Sequence, residues 1–106
     1  MAANNNDKPY CVIVCAVNAV EGANNPHRAR TRRVAGFWDI DFDIDVDPKC
    51  TVLAAHAIAS QVEEEIKRNL ENVYDIMIHI EPQGDDVDEG FGLSEREMLG
   101  GETGVK

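Results

Sequence analysis

Between Trp38 and Pro48 the chain runs WDIDFDIDVDP: Trp38, Ile40, Phe42, Ile44 and Val46 alternate without a break with Asp39, Asp41, Asp43, Asp45 and Asp47. Period-2 alternation marks a β-strand with one dry face and one polar face. Such a stretch has to lie in a sheet that buries one side only. Aspartate is a poor strand former, and same-face neighbours along a strand are about 7 Å apart, so a row of five like charges weakens the sheet. The stretch therefore demands a hydrophobic layer beneath it and positive charge above it.

Few architectures meet that demand in 106 residues. A chain of this length is one small domain with a modest core and no room for an active-site cavity wrapped by several layers. Its 20 acidic and 10 basic residues give a net charge of -10, which argues against a nucleic-acid partner and for metal cations or a basic protein segment. The imbalance is uneven: Arg28, Arg30, Arg32 and Arg33 cluster just ahead of the Asp ladder, while Asp85, Asp86, Asp88, Glu89, Glu95, Glu97 and Glu102 crowd the C-terminal stretch. Three cysteines without framework spacing suit a reducing compartment. No apolar run approaches the roughly 20 residues of a membrane helix. Asn4, Asn5, Asn6 and Asp7 stand where a signal peptide carries basic residues, so the chain as given reads as soluble.

Residues 1–8 read as a polar, flexible lead-in. From Pro9 the run PYCVIVCAVNAV reads as a short helix, with Val12, Cys15, Ala16 and Ala19 at helical spacing and Gly22 and Pro26 behind it as a stop. Cys11 and Cys15 at i and i+4 have a spacing that suits a soft metal, but two small buried hydrophobes is the stronger reading. His27 to Val34 reads as a strand with Arg28, Arg30 and Arg32 on one face and His27, Ala29, Thr31 and Arg33 on the other. A turn at Ala35 and Gly36 folds it into a hairpin with the Asp ladder, where arginines facing aspartates would be a metal-free explanation of the ladder. Thr51 is a candidate N-cap for a helix to about Asn69, with Val52, Ala55, Ala59, Val62, Ile66 and Leu70 as its core stripe and His56 beside it. Val73 to Pro82 is a second alternating strand, with Tyr74, Ile76, Ile78 and Ile80 on one face and Asp75, Met77, His79 and Glu81 on the other. Residues 83–106 read as an acidic flexible tail with a short helix from Leu93 to Leu99.

The order helix, strand, strand, helix, strand predicts an α+β fold, a two-layer αββαβ sandwich whose three-stranded mixed sheet leaves one face bare. At that level HRARTRR, DIDVDP, AAHAIASQVEEEIKRNL and IMIHIEP, in this order, resemble the C-terminal cytoplasmic domain of cation diffusion facilitator transporters, over roughly Val12 to Pro82. The resemblance implies a metallochaperone-like, ferredoxin-like open fold over residues 9–82, attached to a membrane region, dimeric, and binding divalent metal to regulate transport. It implies metal ligands at His27, His56, His79 and Glu81. Asp43 stands where many family members carry histidine, and Val52, Leu53 and Ala54 replace the usual acid-rich turn before the helix histidine. Some magnetosome iron or manganese transporters of the family place Trp and Asp in the ladder strand, an arrangement to which Trp38 and Asp41 are similar.

The expected site is thus His27, Asp41, Asp43, His56, His79 and Glu81, with Trp38 and Asp45 as additional members and Asp39, Asp45 and Asp47 otherwise in solvating or strand-end roles. Mixed imidazole and carboxylate ligands suit zinc, iron(II) or manganese. The expected function is a non-catalytic regulatory domain on the cytoplasmic side of a membrane, which binds a divalent ion and forms a homodimer, with the acidic tail free for a protein partner. The alternative is a metal-independent acidic interaction domain for a basic partner. A hydrolytic metal enzyme ranks below both, because nothing in the sequence supplies a lid or a paired nucleophile.

Overall fold

A strand with an unbroken dry face needs helices laid across it, and the chain supplies two. In a computed structural model, which describes residues 8–84 and 92–100, the elements run α1 (Lys8–Ala19), β1 (Asn24–Val34), β2 (Phe37–Val46), α2 (Val52–Asn69), β3 (Val73–Pro82) and a short α3 (Glu95–Met98). The sheet order is β1-β2-β3, so the ladder strand is central. It pairs antiparallel with β1 and parallel with β3, as an adjacent hairpin and a helical crossover require. The hairpin closes on Ala35 and Gly36, both at positive φ (52° and 87°), the left-handed pair that matches the twist of the flanking strands. The α+β class, the mixed sheet and its bare face are as the sequence predicts.

The core lies under β2. Ile40, Phe42 and Ile44 are fully buried, with Trp38 and Val46 nearly so, against Ile13 and Val17 of α1 and Val62 and Ile66 of α2. Arg33, beside Trp38 in the register, lays its guanidinium 4.4 Å from the centre of the indole ring.

One helix face differs from its expected phase, and another meets the core later than expected. The first helix buries Pro9, Ile13, Val14, Ala16 and Val17, leaving Cys15 and Ala19 exposed and Val12 half-buried. Turning Ile13, Val14 and Val17 inward removes more apolar area from water than burying Cys15 and Ala19 would, and area decides the phase. Thr51 caps α2 as expected, its hydroxyl accepting from the Ala54 N–H at 3.0 Å. The first turn of the helix, however, stands clear of the core: Val52 is 88% and Leu53 79% exposed, and burial begins in earnest only at Val62.

The register also corrects both outer strands. In β3, Trp38 pairs with Val73 and Asp39 with Asp75, so Tyr74 is an extra residue between two pairs, follows Asn72 at φ 62°, and faces solvent. Only Ile76 and Ile78 of the expected apolar face pack against the core. In β1, shifts fall between Asn24 and His27 and again between His27 and Arg30, each inserting one residue.

Part of the expected tail is structured. Ala29 and Leu93 exchange two backbone hydrogen bonds at 3.0 and 2.8 Å, α3 begins with a capping box between Ser94 and Glu97, and Met98 is buried in the core. Residues 1–7, 85–91 and 101–106 lie outside the described residues, and with them the remaining acids of the tail and the expected lead-in except Lys8, which opens α1. No helix among the described residues is long and apolar enough to cross a membrane.

The contrast within α2 is measurable. In urea unfolding, Ile66→Ala is expected to lower stability by about 2–5 kcal/mol, and Val52→Ala by less than about 0.5 kcal/mol.

Candidate metal centre

The two insertions in β1 build the site. In a regular strand His27 and Arg30 would point to opposite faces; one extra residue between them puts both on the bare face, His27 opposite Asp43 and Arg30 opposite Asp41. The extra residues carry the backbone cost of the bulges: Asn25 has φ 53° and Arg28 φ 50°. Asparagine tolerates that region, and Pro26 behind it gives up no ladder bond it could have made. Arginine has no such tolerance, so Arg28 is held there by its surroundings.

His27 is oriented before any ligand arrives. Its Nδ1 lies 2.7 Å from the Asn25 carbonyl; a carbonyl only accepts, so Nδ1 carries a proton and Nε2 points the other way. There it meets Glu81 Oε1 at 3.4 Å and Asp43 Oδ2 at 3.8 Å. The Asn25 amide donates to Asp45 Oδ2 at 2.9 Å. One residue thus fixes both a histidine tautomer and a carboxylate, the role outer groups play around metal ligands.

His27, Asp45 and Glu81 each present a ligand atom within 4.8 Å of the other two. Ligands about 2.1 Å from a tetrahedral ion lie about 3.4 Å apart, which the separation of His27 Nε2 from Glu81 Oε1 matches. The donor set of one imidazole and two carboxylates fits zinc, iron(II) or manganese.

Lower on the same face the aspartates already have cations. Arg30 Nη2 pairs with Asp41 Oδ2 at 2.8 Å and Arg32 Nε with Asp39 Oδ2 at 3.0 Å. His79, half exposed, lies 3.4 Å from Asp41 Oδ1. The ladder is therefore divided: Asp39 and Asp41 are paired by arginine in water, while Asp43 and Asp45, 4% and 8% exposed, sit at the closed upper end with His27 and Glu81.

The expected residues fall into distinct places. His27, Asp43, Asp45 and Glu81 come together, with Asp45 more central than its expected strand-end role. Asp41 and His79 pair with each other one step down the sheet. Trp38 is turned to the buried face, among the core residues. His56 is exposed on α2 and belongs to no cluster on the sheet. Sequence reasoning missed Asn25 and the part taken by Arg28, whose guanidinium reaches both Asp43 and Glu81. The available signal was Asn25-Pro26 inside a strand, a dipeptide that implies a bulge and so resets the alternation after it.

The fold has relatives among known proteins. Residues 6–83 match the family model of the cation efflux protein, cytoplasmic domain. Metal tolerance protein C1 of Arabidopsis thaliana is 38% identical over 63 residues, which are 59% of this chain and 13% of that protein's length. The metal-bound C-terminal domain of the CzcD transporter from Thermotoga maritima superposes with a TM-score of 0.74 at 30% identity, covering 81% of this chain and 100% of that one. A variant of the MamM C-terminal domain in its cadmium form superposes with a TM-score of 0.67 at 25% identity, covering 72% and 95%.

The tautomer is directly observable. At mildly alkaline pH, long-range 15N–1H correlation spectra should show His27 protonated at Nδ1 and bare at Nε2; an Nε2–H form would remove the proposed lone pair.

Proposed function

The chain belongs to the cation efflux protein family, matched over the family's cytoplasmic domain, and from that membership we propose that it binds a divalent cation on its bare sheet face and thereby regulates the transporter to which it is attached. His27 Nε2, Asp45 and Glu81 form the nucleus of the site. Asp43, Asp41 and His79 lie along the same face as further oxygen and nitrogen donors. The observation that carries this reading is the orientation of His27, whose Nε2 is aimed at two carboxylates while a carbonyl holds its other nitrogen.

The charge on the face gives the ion something to do. Three carboxylates gather at the upper end around one imidazole and one guanidinium, and a divalent ion offsets the excess, tightening β1 against β2 and β3. A family model and a relative named for cation efflux and metal tolerance support this reading, as does a metal-bound structural neighbour.

Dimerisation belongs to the same proposal. Val52, Leu53 and His56 lie at i, i+1 and i+4, close to one face of α2, and all three are exposed. The groove beside them, lined by Val46, Pro48, Val52, Ala55, Ile80 and Glu81, joins this apolar turn to the edge of the metal cluster. Two copies meeting there would cover the turn and place His56 at the interface rather than on the sheet face of its own chain. Binding of the ion would then be felt at the contact between subunits and, through it, by a membrane region on whose cytoplasmic side the domain sits.

Titration calorimetry with Zn2+, Mn2+ and Fe2+ tests the site: His27→Ala is expected to weaken binding at least 10-fold, and unchanged heats would sink the assignment. Sedimentation velocity tests the interface. Leu53→Asp should shift the protein toward monomer while its thermal midpoint stays within a few degrees of the parent, because the side chain it replaces is 79% exposed.

A further inference from the structure

Arg28 stands inside the proposed site. Its Nε donates to Asp43 Oδ2 at 2.6 Å, and its Nη2 pairs with both Asp43 Oδ2 and Glu81 Oε2. It therefore binds a carboxylate that faces His27 Nε2 and shares Glu81 with it. Only 22% of its side chain is exposed, unlike Arg30 and Arg32 at 63% and 76%.

The backbone of Arg28 is clamped from behind. Gly92, at φ +89°, lies so close that a Cβ there would fall 2.6 Å from the Arg28 carbonyl oxygen, 2.7 Å from its Cα and nearer still to its carbonyl carbon. The next residue, Leu93, is bonded in both directions to Ala29, and Met98 anchors the segment in the core. Residues 92–98 thus form a strap across β1 that fits only a bare backbone at Gly92 and holds the left-handed Arg28 whose side chain enters the site.

We propose that Arg28 is a built-in counter-cation which withholds Asp43 from the bound ion and, held by the strap of residues 92–98, sets the affinity of the site. This rests on the metal reading above and adds to it a control by this chain's own residues. With Arg28 in place the ion is left His27, Asp45 and the free oxygen of Glu81, and it binds beside a fixed positive charge. With Arg28 withdrawn, Asp43 becomes a further ligand and the repulsion disappears. Whatever loosens residues 92–98, which pair with the free edge of β1, therefore raises the affinity of a site between β1 and the strands beyond it.

The full chain tests this by titration with Mn2+ and with Zn2+, and by thermal unfolding with and without each ion. Arg28→Gln keeps the length and planarity of the end group without its charge, and should tighten binding at least 10-fold while lowering the midpoint of the metal-free protein. Adding Asp43→Asn to Arg28→Gln should return the affinity toward that of the parent. Gly92→Ala leaves every charge in place and should tighten binding in the same direction, with Arg28→Gln/Gly92→Ala no tighter than Arg28→Gln alone, since both changes release one contact. Equal affinities in the parent, Arg28→Gln and Gly92→Ala, with heats that still vanish in His27→Ala, would overturn the role of Arg28 and leave the metal site standing. No heat that depends on His27 in the parent or in Arg28→Gln would overturn the metal site and this inference with it.

Discussion

Repulsion between carboxylates on a single strand face is the constraint on which the rest of this structure depends. The central strand cannot give up its aspartates to the core, because its other face already fills the core with Ile40, Phe42 and Ile44. Nor can it leave them bare to one another at a spacing of about 7 Å. The chain answers with cations of graded exposure. Arg32 and Arg30, well hydrated, meet Asp39 and Asp41 where water screens the pairs and each contributes about 0 to 1 kcal/mol. Higher up, Asp43 and Asp45 are almost fully covered, and there the partners are an oriented imidazole and a half-buried guanidinium for Asp43 and the Asn25 amide for Asp45.

That gradient explains why one face of one sheet can hold both an ordinary surface and a site. Screening by water weakens electrostatic interactions toward the turn end, and burial strengthens them toward the other. The bulges of β1 fall at the buried end. They bend His27 and Arg28 onto the same face, which a regular strand would not do, and they use backbone conformations that only a well-packed surrounding retains. The strap that includes Gly92 is part of that surrounding, and it links the C-terminal segment to the site.

Much of the fold was legible because its signals are periodic. The alternation of β2, the Thr51 cap, the Ala35–Gly36 turn and the helical run to Asn69 each follow from local chemistry, and the chain order then leaves few topologies. The face taken by each outer element was less legible. The phase of α1 depended on which of two overlapping stripes carried the larger side chains, and Val52 looked like a core residue because nothing local says that the first turn of α2 stands clear of the core. His27 was placed opposite the arginines because strict alternation put it there, and a bulge is a departure from alternation. The two explanations of the ladder, arginine pairing and a metal site, were posed as rivals; arginine pairs with Asp39, Asp41 and Asp43, and Asp45 falls in the cluster with His27 and Glu81. Asn25 and Arg28 were invisible as site residues because their contributions come from backbone geometry that only the folded register creates.

The central claim, that the covered end of the ladder is a divalent-cation site built on His27, is tested most directly by anomalous diffraction from a crystal of the protein soaked in Zn2+ or Mn2+, with data on both sides of the metal edge. The account predicts an anomalous peak about 2.1 Å from His27 Nε2, within reach of Asp45 and Glu81. Peaks confined to other surfaces, with the Arg28 guanidinium and the His27 ring unchanged at the head of the sheet, would contradict it.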